Sequence, residues 1–305
     1  MISEQDIHYL RRQEIDADKW DRCIGQAANA LIYARSFYLD HMAPEKWDAL
    51  VLDDYRVVMP IPWNRKWGIR YACQPPFTQQ LGIFAAGEIA PSLVGACLSR
   101  LAEHFRFAEL FLNYLNPYPS LPSHTNYILD LNMPYAQLAG GYKKDLVRNL
   151  KEAASSSFAY IRDFELSTAL SMYRERYGPR TPHVKEESWR RFSTLCSFLR
   201  ERGQCILRAV RDRKGKVLAT ALFLVGEGRM HLLQSTNLPE GRHTGANHFL
   251  LDRVIAEFAG QPLLLDFEGS DLPGIAHFYA NFGSRDEPYF FYRLNRLPLP
   301  LRRLK

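Results

Sequence analysis

The chain has 305 residues, which is enough for two domains at roughly 150 residues each. Its residues are 47% hydrophobic, 13% aromatic and 24% charged, a balance that is typical of globular proteins and excludes disordered, collagen-like and coiled-coil classes. The formal net charge of +6 is a small excess that favours anionic partners such as nucleotide phosphates.

The cysteines and the N-terminal residues bear on the cellular compartment. The chain has five cysteines, an odd number without a C-x-x-C pair, which argues against a disulfide framework and a zinc knuckle. The first ten residues mix acidic and apolar side chains and lack the pattern of a signal peptide. No apolar run approaches the ~20 residues of a membrane span. We therefore expect a cytoplasmic protein without a membrane-spanning segment.

The first half of the chain predicts an α+β domain in which strands outnumber helices. Apolar residues at three- and four-residue spacings indicate two amphipathic helices, at 18–30 and 91–105. Short apolar runs separated by polar turns are typical of an antiparallel meander. These predicted strands are 49–52, 56–61, 68–71, 109–114 and 126–131.

A helix at 142–154 follows, with one basic face. Lys144, Arg148 and Lys151 line this face at helical spacing, while the apolar residues share another side. A basic face of this kind is either a solvated surface or a site for phosphate groups. The serine run at 155–157 ends the helix and is the best candidate for a domain junction, although the helix itself fits either half.

The second half has a distinctive order of elements. Two helices precede a meander of three strands, and then helix, strand, helix and strand alternate. The helices are predicted at 166–176, 186–202, 245–258 and 273–282, the strands at 205–211, 217–225, 230–235, 262–267 and 289–292, and a loop at 237–244.

This order resembles the Gcn5-related N-acetyltransferase (GNAT) fold. The segment Arg242-His243-Thr244-Gly245-Ala246-Asn247, between a strand and a helix, is similar to the family pattern Q/R-x-x-G-x-G/A. A glycine-bearing turn at a helix N-terminus exposes backbone N–H groups to a pyrophosphate, and Arg242 adds a fixed charge. The resemblance implies that Arg242, Thr244, Gly245, Ala246 and Asn247 bind the donor. Asn247 departs from the pattern, because the family usually has Gly or Ala there.

A second block resembles the FemAB-like proteins, which have two tandem GNAT domains. The block comprises residues 266–270 and 274–283, and the resemblance is clearest from about Lys143 to Arg293. Over the first 142 residues it depends mainly on the segment 74–84 and on length. It implies two GNAT domains of class α/β (α+β), each a mixed, mostly antiparallel sheet flanked by helices, over 1–141 and 142–305, with the donor groove in the second.

The resemblance also implies catalytic residues. In the GNAT fold a tyrosine of the helix after strand five often protonates the leaving thiolate, and Tyr279 occupies the matching place; a packed aromatic is the alternative. A base must also take a proton from the amine, and Glu268 and Asp266 lie at the predicted C-terminal end of a strand. For either carboxylate, capping the next helix is the alternative. The direction of the Glu268 side chain stays open, because it does not alternate cleanly with Leu265 and Phe267.

Three polar residues are candidates for substrate binding. Gln79 and Gln80 follow a run of aromatic residues in the first half, a combination that lines an acceptor cleft or serves as core of the meander. Ser270 lacks the G-x-S-x-G elbow of a hydrolase nucleophile, and no histidine and aspartate partners can be assigned to it by spacing. It is instead a candidate for substrate binding. The histidines form no H-x-x-x-H or H-E-x-x-H pattern, so no metal is expected.

These observations predict an acyltransferase that moves an acyl group from acyl-CoA, such as acetyl-CoA, to a small-molecule or peptide amine held between the two domains. One alternative is an aminoacyl-tRNA donor, as in FemAB relatives that build peptidoglycan bridges, with the tRNA phosphates on the basic helix face. Another is a catalytically silent GNAT-fold binding module, which Asn247 favours. The oligomeric state, the acceptor and the acyl chain stay open.

Overall fold

The computed structural model describes residues 6–269, 271–299 and 301–304. The strands are β1 (Ile7–Leu10), β2 (Trp47–Leu52), β3 (Val57–Lys66), β4 (Ile69–Cys73), β5 (Phe84–Ala85), β6 (Phe107–Leu112), β7 (Ser123–His124), β8 (Tyr127–Asp130), β9 (Ala159–Ile161), β10 (Cys205–Arg211), β11 (Val217–Gly226), β12 (Arg229–Asn237), β13 (Leu264–Asp266), β14 (Arg285–Asp286) and β15 (Tyr289–Asn295). The helices are α1 (Ala17–Gln26), α2 (Ser36–Met42), α3 (Pro91–His104), α4 (Tyr135–Gly140), α5 (Lys144–Ala154), α6 (Leu166–Tyr177), α7 (Glu186–Arg200), α8 (Pro239–His243), α9 (Ala246–Phe258) and α10 (Pro273–Ala280).

The first compact unit comprises the described residues up to His124 and from Pro288 onward. Its sheet has the order β1-β2-β3-β4-β6-β15-β7, with β5 on β3, and β4–β6 is the parallel pair among its main strands. Helix α3 covers the sheet because its leucines recur at helical spacing on one face. The buried residues of that face are Leu93, Val94, Cys97, Leu98 and Leu101.

The second compact unit runs from Thr125 to Glu287. Its sheet has the order β14-β8-β13-β12-β11-β10-β9, and the one parallel pair in the described sheet is β12–β13. Helix α9 packs its buried face on this sheet through Leu250, Leu251, Val254 and Ile255. Both units thus have the predicted architecture, a mixed, mostly antiparallel sheet flanked by helices.

The division into units differs from the boundary predicted at residue 142. Strand β8 pairs with β13 and so belongs to the second unit, whereas β15 pairs with β6 and belongs to the first. The serine run at 155–157 lies between α5 and β9, inside the second unit. Strand pairing, which joins residues far apart in the chain, determines this division, and a local change of composition does not reveal it.

The elements that the sequence predicts are present, with shifts at their ends, except in one segment. Residues 237–244, predicted as a loop, include helix α8, whose first residue is Pro239. Proline is favoured at the first position of a helix because its missing N–H would have no partner there. The short helices and strands were not predicted, because they have too few residues for a periodic pattern.

Two expectations from composition concern the cysteines and the membrane. None of the five cysteines, all of which the structure describes, is in a disulfide: Cys23, Cys97, Cys196 and Cys205 are buried, and Cys73 is half-buried. Burial raises the pKa of the Cys23 thiol to about 11 and that of Cys97 to about 12, so both stay protonated at neutral pH. Within the described ranges, no helix combines the length and the hydropathy needed to cross a bilayer.

Candidate active site

The second sheet opens where β12 and β13 diverge. The two strands pair in parallel only from Arg229 to His231, opposite Leu264 to Asp266. β13 ends at Asp266, whereas β12 continues to Asn237 and stays paired with β11. A β-bulge in β12 accompanies this divergence: Leu222 of β11 pairs with Gln234 and the next residue, Phe223, pairs with Leu232, so that Leu233 is the extra residue. Side chains just beyond the last shared pair therefore lie at an opening in the sheet.

Three polar residues converge at this opening. The His231 Nδ1 atom lies 3.2 Å from Glu268 Oε1 and 3.5 Å from Asp266 Oδ2. His231 and Asp266 are fully buried, whereas the Glu268 side chain is 18% exposed. Because both neighbours of Nδ1 are carboxylate oxygens, the proton of a neutral His231 is assigned to Nδ1, which leaves a lone pair on Nε2.

A buried arginine holds the cluster in place. The Arg229 guanidinium donates to Asp266 Oδ2 at 2.9 Å and to Glu287 Oε2 at 2.7 Å. Asp266 also accepts hydrogen bonds from the Glu268 backbone N–H at 2.9 Å and from Asn126 Nδ2 at 3.4 Å. Burial raises the pKa of the Glu287 carboxyl, against the attraction of Arg229. Asp266 thus accepts hydrogen bonds from three groups and has a structural role, and Glu268 is the more accessible carboxylate.

The same cluster bears on the expectation that the chain binds no metal. One donor atom each of His231, Asp266 and Glu268 lies within 4.8 Å of the others, a spacing that can surround a cation. However, the positive charge of Arg229 already contacts the Asp266 oxygen nearest His231. A metal ion there would meet a like charge, so the geometry favours a hydrogen-bonded network.

The backbone conformation of Glu268 explains why its direction was unclear from the sequence. Its φ is +62°, in the left-handed region that residues other than glycine rarely adopt. The strand therefore ends at Asp266, and the alternation of side chains ends with it. This turn brings the Glu268 side chain to the same side as His231.

Tyr279 of α10 belongs to the same region. Its ring stacks on Phe267, with centroids 5.0 Å apart and an interplanar angle of 26°. Burial and the nearby Glu268 carboxylate raise the pKa of the Tyr279 phenol. The pKa of Tyr173, on α6, is also raised, by burial and by its neighbours Tyr177 and Glu268. Both phenols thus stay protonated at neutral pH and are available as donors.

Further polar groups lie along β12 beyond the last pair with β13. Ser235 faces α9, since its Oγ donates to Asn247 Oδ1 at 3.2 Å, so Gln234 and Thr236 face the opposite side. Both are buried, and neither the Gln234 amide nor the Thr236 hydroxyl has a hydrogen-bond partner among the described residues. Buried polar groups normally have partners. This part of the strand therefore suits the polar part of a substrate.

The predicted donor-binding residues lie on the turn between α8 and α9. Gly245 has φ +72° and directly precedes α9, a conformation that favours glycine. Arg242 and Thr244 are exposed, whereas Ala246 is buried. Asn247, which departs from the GNAT pattern, is also buried and bonds to Ser235. The Asn247 side chain thus points into the protein, and the exposed side chains of the turn include those of Arg242 and Thr244.

Helix α5 covers one side of this turn. A Cβ atom at Gly245 would lie 3.4 Å from both the Asn149 carbonyl oxygen and the Ala153 Cβ. The Asn149 Nδ2 atom is 3.2 Å from His248 Nε2, in the first turn of α9. Helix α5 therefore lies against Gly245 and the first turn of α9, whereas Arg242 and Thr244 of the same turn are exposed. The exposed residues fit a phosphate group, and those toward α5 do not.

The predicted substrate-binding residues are not brought together by one unit. Gln79 and Gln80 belong to the first unit, while the other described candidates belong to the second. Gln80 is buried, and its Nε2 donates to Gln79 Oε1 at 2.8 Å. Ser270 lies outside the described residues. The basic residues of α5 are exposed, and Arg148 pairs with Asp145 at 3.1 Å.

Arg229 and His231 are functional residues of the site that were not predicted from the sequence. The signal was present, since these two residues alternate with the apolar Met230 and Leu232 in a predicted strand. A period of two places them on one face, opposite the core face of Met230 and Leu232. What the sequence could not show is which carboxylates of other strands lie beside them.

The comparisons with known proteins agree with this architecture. Residues 142–276 match the family model of an acetyltransferase (GNAT) domain. The crystal structure of FemX has a TM-score of 0.62 at 13% identity, covering 97% of this chain and 99% of FemX. A tandem GNAT protein from the clavulanic acid biosynthesis pathway has a TM-score of 0.52 at 13% identity, covering 96% and 99%.

A third solved structure is the C-terminal domain of a putative lysylphosphatidylglycerol synthetase from Agrobacterium fabrum. It has a TM-score of 0.53 at 12% identity and covers 92% of this chain and 91% of that domain. A search of curated protein sequences gives no significant match. At these identities the similarity establishes the fold.

Proposed function

Because this chain has the tandem GNAT fold of the FemAB-like proteins, we propose that it is an acyltransferase acting on an amine. The observation that carries the proposal is the convergence of Glu268, His231 and Tyr279 where β12 and β13 diverge. Acyl transfer to an amine requires a base for the amine proton and an acid for the leaving group. The acceptor is a small molecule or a peptide that carries a primary amine.

Glu268 is the proposed base. It is the accessible carboxylate of the cluster, and the Nδ1–H of His231 fixes one of its oxygens. As the amine nitrogen bonds to the acyl carbon, Glu268 takes the amine proton, and the bond from that carbon to the leaving sulfur or oxygen breaks. Asp266 has a positioning role, because its oxygens already accept from Arg229 and from the Glu268 backbone.

Tyr279 is the proposed acid. Its raised pKa keeps the phenol protonated, and it lies near enough to Glu268 for the carboxylate to contribute to that shift. The phenol gives its proton to the leaving thiolate or alkoxide. The proton that Glu268 took from the amine then returns to the Tyr279 phenolate, which completes the proton balance of the transfer. The stack on Phe267 holds the ring in position.

Acyl-CoA is the proposed donor. Arg242 and Thr244 would hold its phosphates on the open side of the turn before α9, where the helix dipole favours negative charge. Gly245, Ala246 and Asn247 would contribute their backbone N–H groups. We retain these residues as donor-binding candidates, and no metal is part of the proposal.

Acetyl-CoA is expected to raise the temperature of thermal unfolding. A ligand that binds only the native state stabilises it by RT ln(1 + [L]/Kd), about 2.7 kcal/mol at a hundredfold excess over Kd. For a domain of this size that corresponds to a shift of several degrees. Differential scanning calorimetry with and without acetyl-CoA measures the shift.

Two arginine variants test where the phosphates bind. Arg242→Ala is expected to remove most of the shift, because the exposed guanidinium is lost. Arg253→Ala is the matched control, since Arg253 is exposed and lies on α9 away from its N-terminus. An equal shift in all three proteins would contradict the role of Arg242, and no shift at millimolar acetyl-CoA would contradict that donor.

Tyr279→Phe is expected to lower the rate of acyl transfer about 100-fold, because the donor proton is lost while the ring stack is kept. The assay follows thiol release from acetyl-CoA with a panel of primary amines, from a small alkylamine to a lysine-containing peptide. Tyr173→Phe is measured in parallel, since that phenol also lies near Glu268. A larger loss in Tyr173→Phe would transfer the acid role to Tyr173.

A second candidate donor is aminoacyl-tRNA. The observation that favours it is the contact of α5 with the turn at Gly245, which narrows the access of a pyrophosphate. Lys144, Arg148 and Lys151 on the exposed side of α5 would contact the tRNA backbone. Binding of this kind must weaken steeply with salt, so a filter-binding affinity that does not change with salt would exclude it. Failure of both donors to bind would favour a catalytically silent module.

A further inference from the structure

One end of the first sheet combines exposed apolar and basic side chains. Three segments meet there: residues 65–68 at the end of β3 and in the β3–β4 turn, the start of β6 at 106–107, and the described residues 296–299 and 301–302 after β15. Asn295 is paired with Phe107, and the Arg296 N–H donates to the Arg106 carbonyl oxygen at 2.7 Å. The segments enclose a shallow groove of about 70 Å³. Its lining residues are Lys66, Trp67, Ile69, Tyr71, Phe107, Leu297 and Leu301. We call this surface the tryptophan end.

Large apolar side chains of the tryptophan end face solvent. Trp67 is 70% exposed and Leu299 is 69% exposed, the two highest values among the large apolar side chains of the described residues. Trp67 has φ +50° and lies in the turn between β3 and β4, with the Lys66 ammonium 4.7 Å from its ring centroid. Clustered exposed apolar groups with a polar rim are typical of an interaction surface.

The charge of the tryptophan end has one sign. Its exposed cations are Arg65, Lys66, Arg106, Arg296 and Arg302. None of them forms an ion pair with a carboxylate in the part of the chain that the structure describes. The surrounding sequence, residues 62–73, 105–108 and 293–302, has no aspartate or glutamate. The complementary partner is therefore anionic, and it must accommodate tryptophan and leucine side chains.

We propose that the tryptophan end binds the surface of an anionic lipid bilayer. Tryptophan is favoured at the interface between headgroups and acyl chains, and arginine and lysine extend from that depth to lipid phosphates. Burial of leucine side chains such as Leu297 and Leu299 among acyl chains is favourable, because it removes apolar surface from water. The same side chains can neither donate a hydrogen bond to an RNA base nor stack on it. The combination thus favours a lipid surface over a nucleic acid. Such binding holds the protein at a membrane through this surface.

Vesicle co-sedimentation of the full chain tests the proposal. We expect the protein to sediment with vesicles of phosphatidylcholine mixed with phosphatidylglycerol, and roughly tenfold less with phosphatidylcholine alone, because surface charge attracts the basic residues. Added salt should weaken the binding. Trp67→Ala and the charge reversal Lys66→Glu should each lower binding to the anionic vesicles about tenfold.

Matched controls come from the second unit. Leu272→Ala removes an apolar side chain that is 64% exposed, and Lys214→Glu reverses an exposed cation, so neither should change vesicle binding. Because Trp67 and Lys66 are exposed, their variants should unfold at the temperature of the unmodified chain, which calorimetry checks. A blue shift of tryptophan fluorescence on vesicle binding that Trp67→Ala abolishes would place this side chain in the interface.

Three outcomes would overturn the proposal. The first is equal binding to neutral and anionic vesicles, and the second is binding that none of the tryptophan-end variants changes. The third is an absence of vesicle binding together with tRNA binding that Lys66→Glu weakens, which would assign the surface to nucleic acid. None of these measurements requires catalytic activity, so their result is independent of the proposed acyl transfer.

Discussion

Glu268→Gln is expected to lower the rate of acyl transfer by roughly 10²–10⁴-fold, the usual contribution of a general base. The amide has nearly the shape of the carboxylate and still accepts the Nδ1–H of His231, so the cluster should stay assembled. What it loses is the ability to take the proton of the attacking amine. The measurement is thiol release from acetyl-CoA with the panel of primary amines described above.

Glu227→Gln is the matched control for this substitution. Glu227 is also a glutamate with a left-handed backbone, φ +56°, in the same unit, but it lies in the turn between β11 and β12. We expect its variant to keep the rate of the unmodified protein. Unimpaired transfer by Glu268→Gln would exclude Glu268 as the base and would direct attention to His231, whose Nε2 carries the lone pair.

Arg229→Leu is expected to destabilise the second unit by about 3–5 kcal/mol. Removing the buried guanidinium leaves the charges of two buried carboxylates, Asp266 and Glu287, without their counter-charge. The Arg229 side chain is 3% exposed and contacts Asp266 and Glu287, whose side chains are 0% and 9% exposed. Without the guanidinium, two carboxylates remain in the interior with a single histidine beside them. Urea unfolding, monitored by circular dichroism, measures the loss of free energy.

The loss should depend on pH in a defined direction. Burial already raises the pKa of Glu287, and removing Arg229 removes an opposing influence, so its folded-state pKa rises further. A carboxyl whose pKa is higher in the folded state binds more protons there than in the unfolded state. The variant therefore becomes less stable as the pH rises through the interval between the two pKa values, and it should recover stability near the acidic end of that interval.

Arg174→Leu is the control for Arg229→Leu, because it makes the same change of side-chain charge and size at an exposed position. Arg174 pairs with Glu186 on the surface, where the two side chains are 48% and 73% exposed, and exposed pairs contribute about 0–1 kcal/mol. An equal effect of the two substitutions, or a loss in Arg229→Leu that does not change with pH, would contradict the assigned role of Arg229 as the counter-charge of the cluster.

Much of the second unit could be predicted from its sequence. The periodicity of α9 and the alternation in β12 are local properties, so a window of residues suffices to recognise them. The glycine before α9 was likewise recognised, from the similarity of residues 242–247 to the GNAT pattern, and its left-handed backbone, with φ +72°, explains why glycine is favoured there. The candidates Glu268 and Tyr279 followed from their position after β13 in a familiar order of elements.

The contacts that distinguish the roles of the site residues could not be predicted from the sequence, because they join distant parts of the chain. Asp266 looked equivalent to Glu268 in the sequence, and only the contact with Arg229, 37 residues away, distinguishes a buried structural carboxylate from an accessible one. Likewise, the approach of α5 to Gly245 depends on helix packing, which the pattern of α5 itself does not encode.

The sequence by itself determined the class of fold, the order of elements in the second half and the position of the glycine turn, since each depends on residues within one element or its immediate neighbours. The tertiary structure decided that β8 joins β13 and β15 joins β6, and that Arg229, His231 and Glu268 meet. Those contacts depend on strand pairing and burial between distant parts of the chain. Their free energy comes from the folded arrangement, which no local pattern of side chains specifies.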